Sequence, residues 1–122
     1  MFKGLKGIRI NKDGTVDCLE GIMIGDNVID DKGHFKVKFG KVKGGFYCGG
    51  FRKLKSLEGS PRETDFFRCN GTSIRSLKGA PEKIGGSITA RKGFCKQLIS
   101  KYGKDKEILY SFKDGYVDTY KG

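Results

Sequence analysis

Two stretches with one pattern decide the fold of this chain: residues 46–61 are Phe-Tyr-Cys-Gly-Gly-Phe-Arg-Lys-Leu-Lys-Ser-Leu-Glu-Gly-Ser-Pro, and residues 67–81 are Phe-Arg-Cys-Asn-Gly-Thr-Ser-Ile-Arg-Ser-Leu-Lys-Gly-Ala-Pro. Phe46 matches Phe67 at a spacing of 21 residues. The later positions match at spacings of 20 or 21, namely Cys48 with Cys69, Leu54 with Ile74, Leu57 with Leu77, Gly59 with Gly79 and Pro61 with Pro81. A third, weaker copy begins at Ile88 and runs through Phe94 to Leu98. A period near 20 residues indicates a stack of similar units.

Each unit contains the residues of a short strand and of a return segment. The alternating apolar residues of Phe-x-Cys, and of the weaker Ile88-x-Ala90, predict three short parallel strands that turn these side chains inward. The two leucines then carry the chain back over the same core, and the glycine and proline shape that return. A single unit cannot cover its apolar face, whereas a stack can. The sequence therefore predicts a mainly β fold, a short solenoid of parallel strands with hairpin caps and one short C-terminal helix.

The two ends of the chain carry the signals of those caps. Asp13-Gly14 is a tight-hairpin signal near the start, and Asp114-Gly115 repeats it near the end. Hairpins at these places would shield exposed strand edges. Apolar residues at helical spacing from Phe94 to Tyr102, followed by Gly103, predict a short helix before the final hairpin.

A chain of 122 residues is expected to form a single domain. We divide it into an N-terminal cap and degenerate repeat (1–45), the repeats (46–93), and a C-terminal helix with a hairpin cap (94–122). Inside the first part, Val16-x-x-Leu19-Glu-Gly21 matches Leu54-x-x-Leu57-Glu-Gly59 at a spacing of 38 residues. Asp13-Gly14 therefore belongs either to a cap hairpin or to a first, degenerate repeat.

The four cysteines and the single histidine favour neither a metal site nor catalysis. No Cys-x-x-Cys pair occurs, His34 has no neighbour at ligand spacing, and nothing indicates secretion, so we expect neither zinc nor disulfides. Cys48 and Cys69 share a repeated position and are predicted to be small core residues. Nucleophile motifs and phosphate-binding glycine loops are absent from the sequence. We therefore expect a protein that is not an enzyme and has no cofactor.

Net charge is the strongest compositional feature. The chain has 25 Lys and Arg against 14 Asp and Glu, a formal net charge of +11. Residues 1–35 are nearly neutral, so the excess lies in residues 36–122. A field of this sign accelerates encounter with anionic partners, which include nucleic acids, nucleotides and acidic protein surfaces.

Residues in register form stripes on the surface of a stack, and here the stripes are basic. Lys55 and Arg75 share one position, and Arg52 and Lys92 share another. The outward row on the strands is expected to end in Thr89. Together these positions give the predicted partner-binding residues Tyr47, Phe51, Arg52, Lys55, Arg68, Arg75, Lys92 and Lys96. Arginine and tyrosine dominate binding hot spots because they bury area and form hydrogen bonds at once.

The repeated stretches, the segment Val37-Lys-Phe-Gly-Lys-Val-Lys-Gly-Gly-Phe-Tyr-Cys48 and the opening Ile8-Arg-Ile-Asn-Lys-Asp-Gly-Thr-Val-Asp17 resemble small leucine-rich-repeat-like proteins of large tailed bacteriophages. The resemblance covers roughly residues 1–90. It implies a right-handed leucine-rich-repeat-like solenoid, a location in the cytoplasm of an infected host bacterium, and no catalytic residues. The chain departs from the usual repeat where an asparagine ladder is expected, since it has Arg52, Thr72 and Lys92 there.

The segment 35–43 has two interpretations. Its lysines alternate with phenylalanine and valine, as on a half-exposed strand. Such a mixture suits a nucleic-acid surface, and it equally suits an edge strand that lysines protect from aggregation. Because the resembled proteins contain this segment, we favour the edge strand.

Two functions fit these observations. The first is a phage-encoded, non-catalytic protein-binding module that binds and inhibits a host protein, such as a defence protein, through a basic face with aromatic residues that meets an acidic surface. The alternative is a nucleic-acid or nucleotide binding protein that uses the same face. No membrane partner is expected, because the sequence has neither an 18-residue apolar run nor a signal-peptide pattern. Binding through phosphates would fall steeply with salt, which separates the two functions.

Overall fold

The computed structural model describes residues 7–111 and 117–121, which form one sheet of mostly parallel strands and one α-helix. The strands are β1 (Ile8–Ile10), β2 (Val16–Cys18), β3 (Ile22–Met23), β4 (Phe39–Tyr47), β5 (Glu63–Arg68), β6 (Lys83–Ile84), β7 (Ile88–Ala90), β8 (Ile108–Ser111) and β9 (Val117–Thr119). The helix α1 spans Cys95–Tyr102, and short 3-10 turns span Asp26–Val28 and Lys92–Phe94. Neighbouring strands follow the order β1-β2-β4-β5-β7-β8-β9, with β3 beside β4 and β6 beside β5. The predicted mainly β class, the parallel strands and the short helix are confirmed.

The repeated phenylalanine position forms a continuous buried row across the sheet. Phe46 lies beside Phe67, and Phe67 lies beside Ile88, as the 21-residue spacing predicts. The row extends at its two ends to Ile22, beside Phe46, and to Ile108, beside Ile88. All five side chains are buried, and the Phe46 and Phe67 rings stack with centroids 6.1 Å apart. Residues at the same position of the sequence repeat therefore lie side by side in the sheet.

The repeated cysteine position forms a second row. The N–H of Cys48 donates to the Arg68 carbonyl at 2.9 Å, and that of Cys69 donates to the Thr89 carbonyl at 2.8 Å. Both cysteines are almost fully buried, and their thiols are free. Burial raises the pKa of the Cys69 thiol to about 12, so the thiol stays protonated and unreactive at neutral pH. The prediction that these cysteines are small core residues is confirmed.

The return segments pack over the same core. Leu54, Leu57 and Ile74 are buried, while Leu77 is only partly buried against the same cluster. The N–H of Ser73 donates to the Leu54 carbonyl at 2.8 Å and so ties the return segments of neighbouring units together. Burying three aliphatic side chains of this size stabilises the fold by about 1.5–3 kcal/mol each.

Gly79, at the end of one return segment, is required for two separate reasons. Its φ is +88°, in the left-handed region that side chains other than glycine rarely adopt. A Cβ at this position would also lie 2.5 Å from the backbone nitrogen of Glu58 in the preceding unit. The repeated glycine therefore lets adjacent return segments approach each other closely.

The elements at the two ends agree with the turn and helix signals. Strands β1 and β2 pair antiparallel around Asp13-Gly14, and the Asp13 carboxylate accepts the Thr15 N–H at 2.9 Å. Strands β8 and β9 also pair antiparallel, whereas Asp114-Gly115 lies outside the described residues. Helix α1 ends at Tyr102, and the N–H of Gly103 donates to the Ile99 carbonyl at 2.8 Å.

Two expectations about the first half of the chain need correction. Strand β4 is not an edge strand, because β2 and β3 pair with one side of it and β5 with the other. Lys36 and Lys38 are exposed but precede the strand, so they protect no edge. The sequence match at a spacing of 38 residues also does not mark equivalent positions in the structure, because Leu19 is 58% exposed whereas Leu57 is fully buried.

In the described part of the chain, α1 is the one α-helix, and its eight residues are far too few to cross a lipid bilayer.

Candidate binding surface

An exposed group of interface-type side chains lies on three neighbouring strands. Met23 on β3 is in register with Tyr47 on β4, which is in register with Arg68 on β5. Phe66 lies two residues before Arg68 on the same strand. Met23 is 81% exposed and Phe66 is 45% exposed. We call Met23, Tyr47, Phe66 and Arg68 the sheet-face patch.

Two glycines allow the aromatic rings of the patch to lie close to the backbone. A Cβ on Gly45 would fall 2.0 Å from the Tyr47 ring, and a Cβ on Gly86 would fall 2.5 Å from the Phe66 ring. Each ring thus occupies space that any other residue would fill. Because they rest on backbone, both rings have lost part of their rotational freedom before any partner binds.

A β-bulge sets which side chains belong to the patch. Val42 pairs with Thr64 and Gly45 pairs with Phe66, so two residues of β4 face the single residue Asp65. The carboxylate of Asp65 accepts the Gly44 N–H at 2.8 Å, which holds the bulge closed. A β-bulge re-aims the strand that carries it.

If the ladder continued one-to-one from the Val42–Thr64 pair without the bulge, Phe46 would pair with Arg68 instead of Phe67. Paired residues of adjacent strands point to the same face, whereas neighbouring residues of one strand point to opposite faces. Either Phe46 would then leave the core or Arg68 would enter it. The bulge therefore keeps the phenylalanines in the core and turns Tyr47 and Arg68 outward together.

Tyr47 and Arg68 interact directly. The guanidinium carbon of Arg68 lies 4.9 Å from the centre of the Tyr47 ring, within the range of a cation–π interaction. Both residues, with Phe66 and Ser87, line a shallow cavity of about 210 Å³. This volume accepts one side chain of a partner rather than a whole small molecule, because small-molecule sites occupy roughly 300–1,000 Å³.

Of the eight residues that the sequence predicts as contacts, Tyr47 and Arg68 belong to the sheet-face patch. Phe51 is half-buried and packs partly against the core. Arg52, Lys55 and Arg75 are exposed on the return segments.

The remaining predicted contacts lie toward the C-terminal end. The ammonium of Lys92 is 5.2 Å from the centre of the Tyr110 ring. Lys96 belongs to α1. Thr89 continues the row of Arg68, as expected, but it is only 5% exposed, so the expectation that it offers an outward contact is wrong.

Asp17 is a buried carboxylate on β2. It accepts hydrogen bonds from the Lys41 N–H at 2.9 Å, the Arg9 guanidinium at 2.7 Å and the Asn11 amide at 3.0 Å. These partners, led by the Lys41 N–H, lower its pKa from 3.8 to about 2. Because both oxygens of the Asp17 carboxylate accept hydrogen bonds, this side chain ties the N-terminal hairpin to β4. The same hydrogen bonds make it a poor proton acceptor.

Met23 and Phe66 are not among the contact residues predicted from the sequence. Met23 ends a strand of two residues, Ile22–Met23, that the recognised repeat does not reach, so its spacing carried no signal. Phe66 precedes Phe67, and the alternation of a strand allows only one of two adjacent aromatic residues to be inward. This conflict between adjacent aromatic residues was the signal in the sequence that one of them is exposed.

Residues 7–111 and 117–121 contain no group of three or more His, Cys, Asp or Glu arranged to hold a metal ion. Comparison of the chain with models of protein families, with curated proteins and with solved structures returned no match.

Proposed function

We propose that this chain is a short leucine-rich-repeat-like solenoid of bacteriophage origin that acts as a non-catalytic protein-binding module in the cytoplasm of the host bacterium. Its contact surface is the sheet-face patch, and its partner is a host protein, such as a defence protein, that it inhibits by occupying an acidic surface. The in-register rows of Phe46, Phe67 and Ile88 support the solenoid, because they repeat one core position in neighbouring strands.

The observation that carries the proposal is the composition and order of the sheet-face patch. Methionine, tyrosine, phenylalanine and arginine are the residues that interfaces concentrate in their buried centres. Here they adjoin on one face, two of them with large exposed fractions. The rings already lie against glycine backbone, which lowers the entropy lost on binding.

Charge determines which partner suits the patch. The net charge of +11 steers the chain toward negative surfaces, and Arg68 places a cation in the patch itself. A matching partner has an apolar side chain that enters the cavity beside Tyr47 and a carboxylate that meets Arg68. A nucleic-acid ligand uses cations but gains little from an exposed methionine, so the patch favours a protein.

An affinity pull-down from bacterial lysate tests this function. Tagged wild-type protein is compared with Arg68→Glu and with the matched control Lys12→Glu, which changes the net charge equally but lies in the hairpin turn. Lysate is used with and without nuclease and at moderate salt. We expect one stoichiometric protein that survives nuclease and salt, is captured by wild type and Lys12→Glu, and is lost with Arg68→Glu.

The loss should be large, because reversal of a hot-spot charge costs at least about 2 kcal/mol, or roughly thirtyfold in affinity. Capture of nucleic acid alone, abolished by nuclease, contradicts the proposal and supports the alternative of a phosphate-binding face. Equal capture by Arg68→Glu and Lys12→Glu contradicts the assignment of the patch.

A further inference from the structure

A groove lined by lysines lies beside the C-terminal helix and shares no residue with the sheet-face patch. It has a volume of about 550 Å³. Its lining residues come from α1, from the loop after it and from the segment after β9: Lys96, Ile99, Lys104, Lys106, Tyr120 and Lys121.

The floor of the groove is fixed by the fold. Ile99 and Tyr120 are partly buried and pack against the core. The N–H of Tyr120 donates to the Ile108 carbonyl at 2.8 Å, which holds this residue beside β8. The ammonium of Lys106 donates to the Ile84 carbonyl at 2.5 Å, so at least one cation is held in place.

The electrostatics of the groove are one-sided. Four of the six described lining residues are lysines, and none of these six is acidic. The ion pairs found in the described ranges involve Arg9, Lys53 and Lys78, and none of the groove lysines. The C-terminus of α1 supplies only about half a negative charge, and Asp105 and Glu107, which flank Lys106 in the sequence, form no ion pair with the groove lysines in the described residues.

We propose that this groove binds a nucleoside di- or triphosphate. The lysines contact the phosphate chain as point charges, which is the way lysine recognises phosphate. Tyr120 and Ile99 lie against the base, because an aromatic face stacks on any nucleobase. The volume falls within the range of small-molecule sites, and this is a second activity beside the proposed protein binding.

The experiment is a calorimetric titration of the whole chain with ATP, AMP, adenosine, inorganic tripolyphosphate and single-stranded DNA of increasing length, at low salt without Mg²⁺. Binding should weaken from ATP to AMP to adenosine, since each step removes phosphate charge. Tripolyphosphate should bind more weakly than ATP because it lacks a base. The variant Lys96→Gln/Lys104→Gln/Lys121→Gln should bind ATP at least about tenfold more weakly.

The matched control is Lys12→Gln/Lys32→Gln/Lys36→Gln, which removes the same charge from exposed lysines outside the groove. Its affinity for ATP should change less than about threefold, because distant exposed charges are screened. Lys106 is left intact in both variants, since its bond to Ile84 contributes to folding. Tyr120→Leu keeps an apolar floor and should bring the affinity for ATP down to that for tripolyphosphate.

Four results would overturn the proposal. One is the absence of ATP binding. A second is an equal loss of binding in both triple variants. Another is equal affinity for ATP and tripolyphosphate that Tyr120→Leu leaves unchanged, which would remove the nucleoside from the assignment. The last is tighter binding of single-stranded DNA with affinity that rises with its length, which would make the groove part of a nucleic-acid surface.

Discussion

Phe66 and Phe67 are consecutive residues of β5 and face opposite sides of the sheet: Phe66 is 45% exposed and Phe67 is 1% exposed. Phe67 stacks on Phe46 in the core, with ring planes 6° from parallel. Phe66 lies on Gly86 at the surface. One dipeptide therefore serves both the stability of the fold and the proposed contact with a partner.

Substitution of these two residues should separate the two roles. Phe67→Ala should lower the free energy of unfolding by about 3–5 kcal/mol, because it removes a buried ring and leaves a cavity. Phe66→Ala should lower it by less than about 1 kcal/mol, since nearly half of the residue is already exposed to solvent and no core cavity is left behind. Urea unfolding followed by circular dichroism measures both values, and equal losses would contradict the facing of the strand.

Gly79 and Gly14 form a second matched pair. Both have positive φ, +88° and +87°, so alanine pays the left-handed cost of about 1–2 kcal/mol at either position. Only at Gly79 does a Cβ also meet backbone, 2.5 Å from the Glu58 nitrogen, whereas nothing lies within 4 Å at Gly14. Thermal unfolding should therefore show a clearly larger loss for Gly79→Ala. A similar loss in both variants would mean that adjacent return segments do not approach this closely.

The stability of the protein should depend on pH through Asp17. Its folded pKa of about 2 lies below the ordinary value of 3.8, so its contribution is present above pH 3.8 and is lost as the pH falls toward 2. The contribution is about 2 kcal/mol. Asp17→Asn should be less stable than wild type at pH 7, and the gap should narrow by pH 2.5.

Asp31→Asn is the control for that experiment, because the Asp31 side chain is fully exposed. Its Oδ1 atom lies 3.7 Å from the Lys53 Nζ atom. Its unfolding free energy should follow that of wild type across the same pH range. A gap between wild type and Asp17→Asn that stays constant with pH would show that the carboxylate has an ordinary pKa in the folded protein.

The four thiols should be unreactive in the native protein. Burial raises the pKa of Cys18 to about 11 and that of Cys69 to about 12, and the thiolate is the reactive form. Native protein should react slowly with an alkylating reagent at pH 7.5, and all four cysteines should react after unfolding in urea. Mass spectrometry counts the modified residues. Rapid native labelling of Cys48 or Cys69 would contradict their place in the core.

The sequence predicts the middle of this fold well because the repeat and the packing express one physical constraint. Phe46 and Phe67 must cover the same core in successive units, so their spacing predicts their pairing. The same reasoning predicts the hairpin at Asp13-Gly14 and the end of α1 at Gly103, where turn chemistry is local. It does not predict that β4 has neighbours on both sides, since β2 and β3 lie before the recognised repeats.

The candidate binding surface was harder to predict because its geometry depends on contacts between units. The bulge opposite Asp65 decides that Tyr47 and Arg68 share a row, and no property of residues 42–45 alone shows it. The lysine groove joins α1 to a segment after β9, about 20 residues further along the chain, and repeat spacing does not relate the two.

Hydroxyl-radical footprinting of the complex with the captured host protein tests the central claim most directly. Met23 and Phe66 are exposed and react readily with the radical, while Ile10 and Val117 are exposed apolar controls outside the patch. We predict that complex formation strongly reduces oxidation of Met23 and Phe66 and leaves oxidation of Ile10 and Val117 unchanged. Unchanged oxidation of Met23 and Phe66 in a stoichiometric complex would contradict the claim that the sheet-face patch is the binding surface.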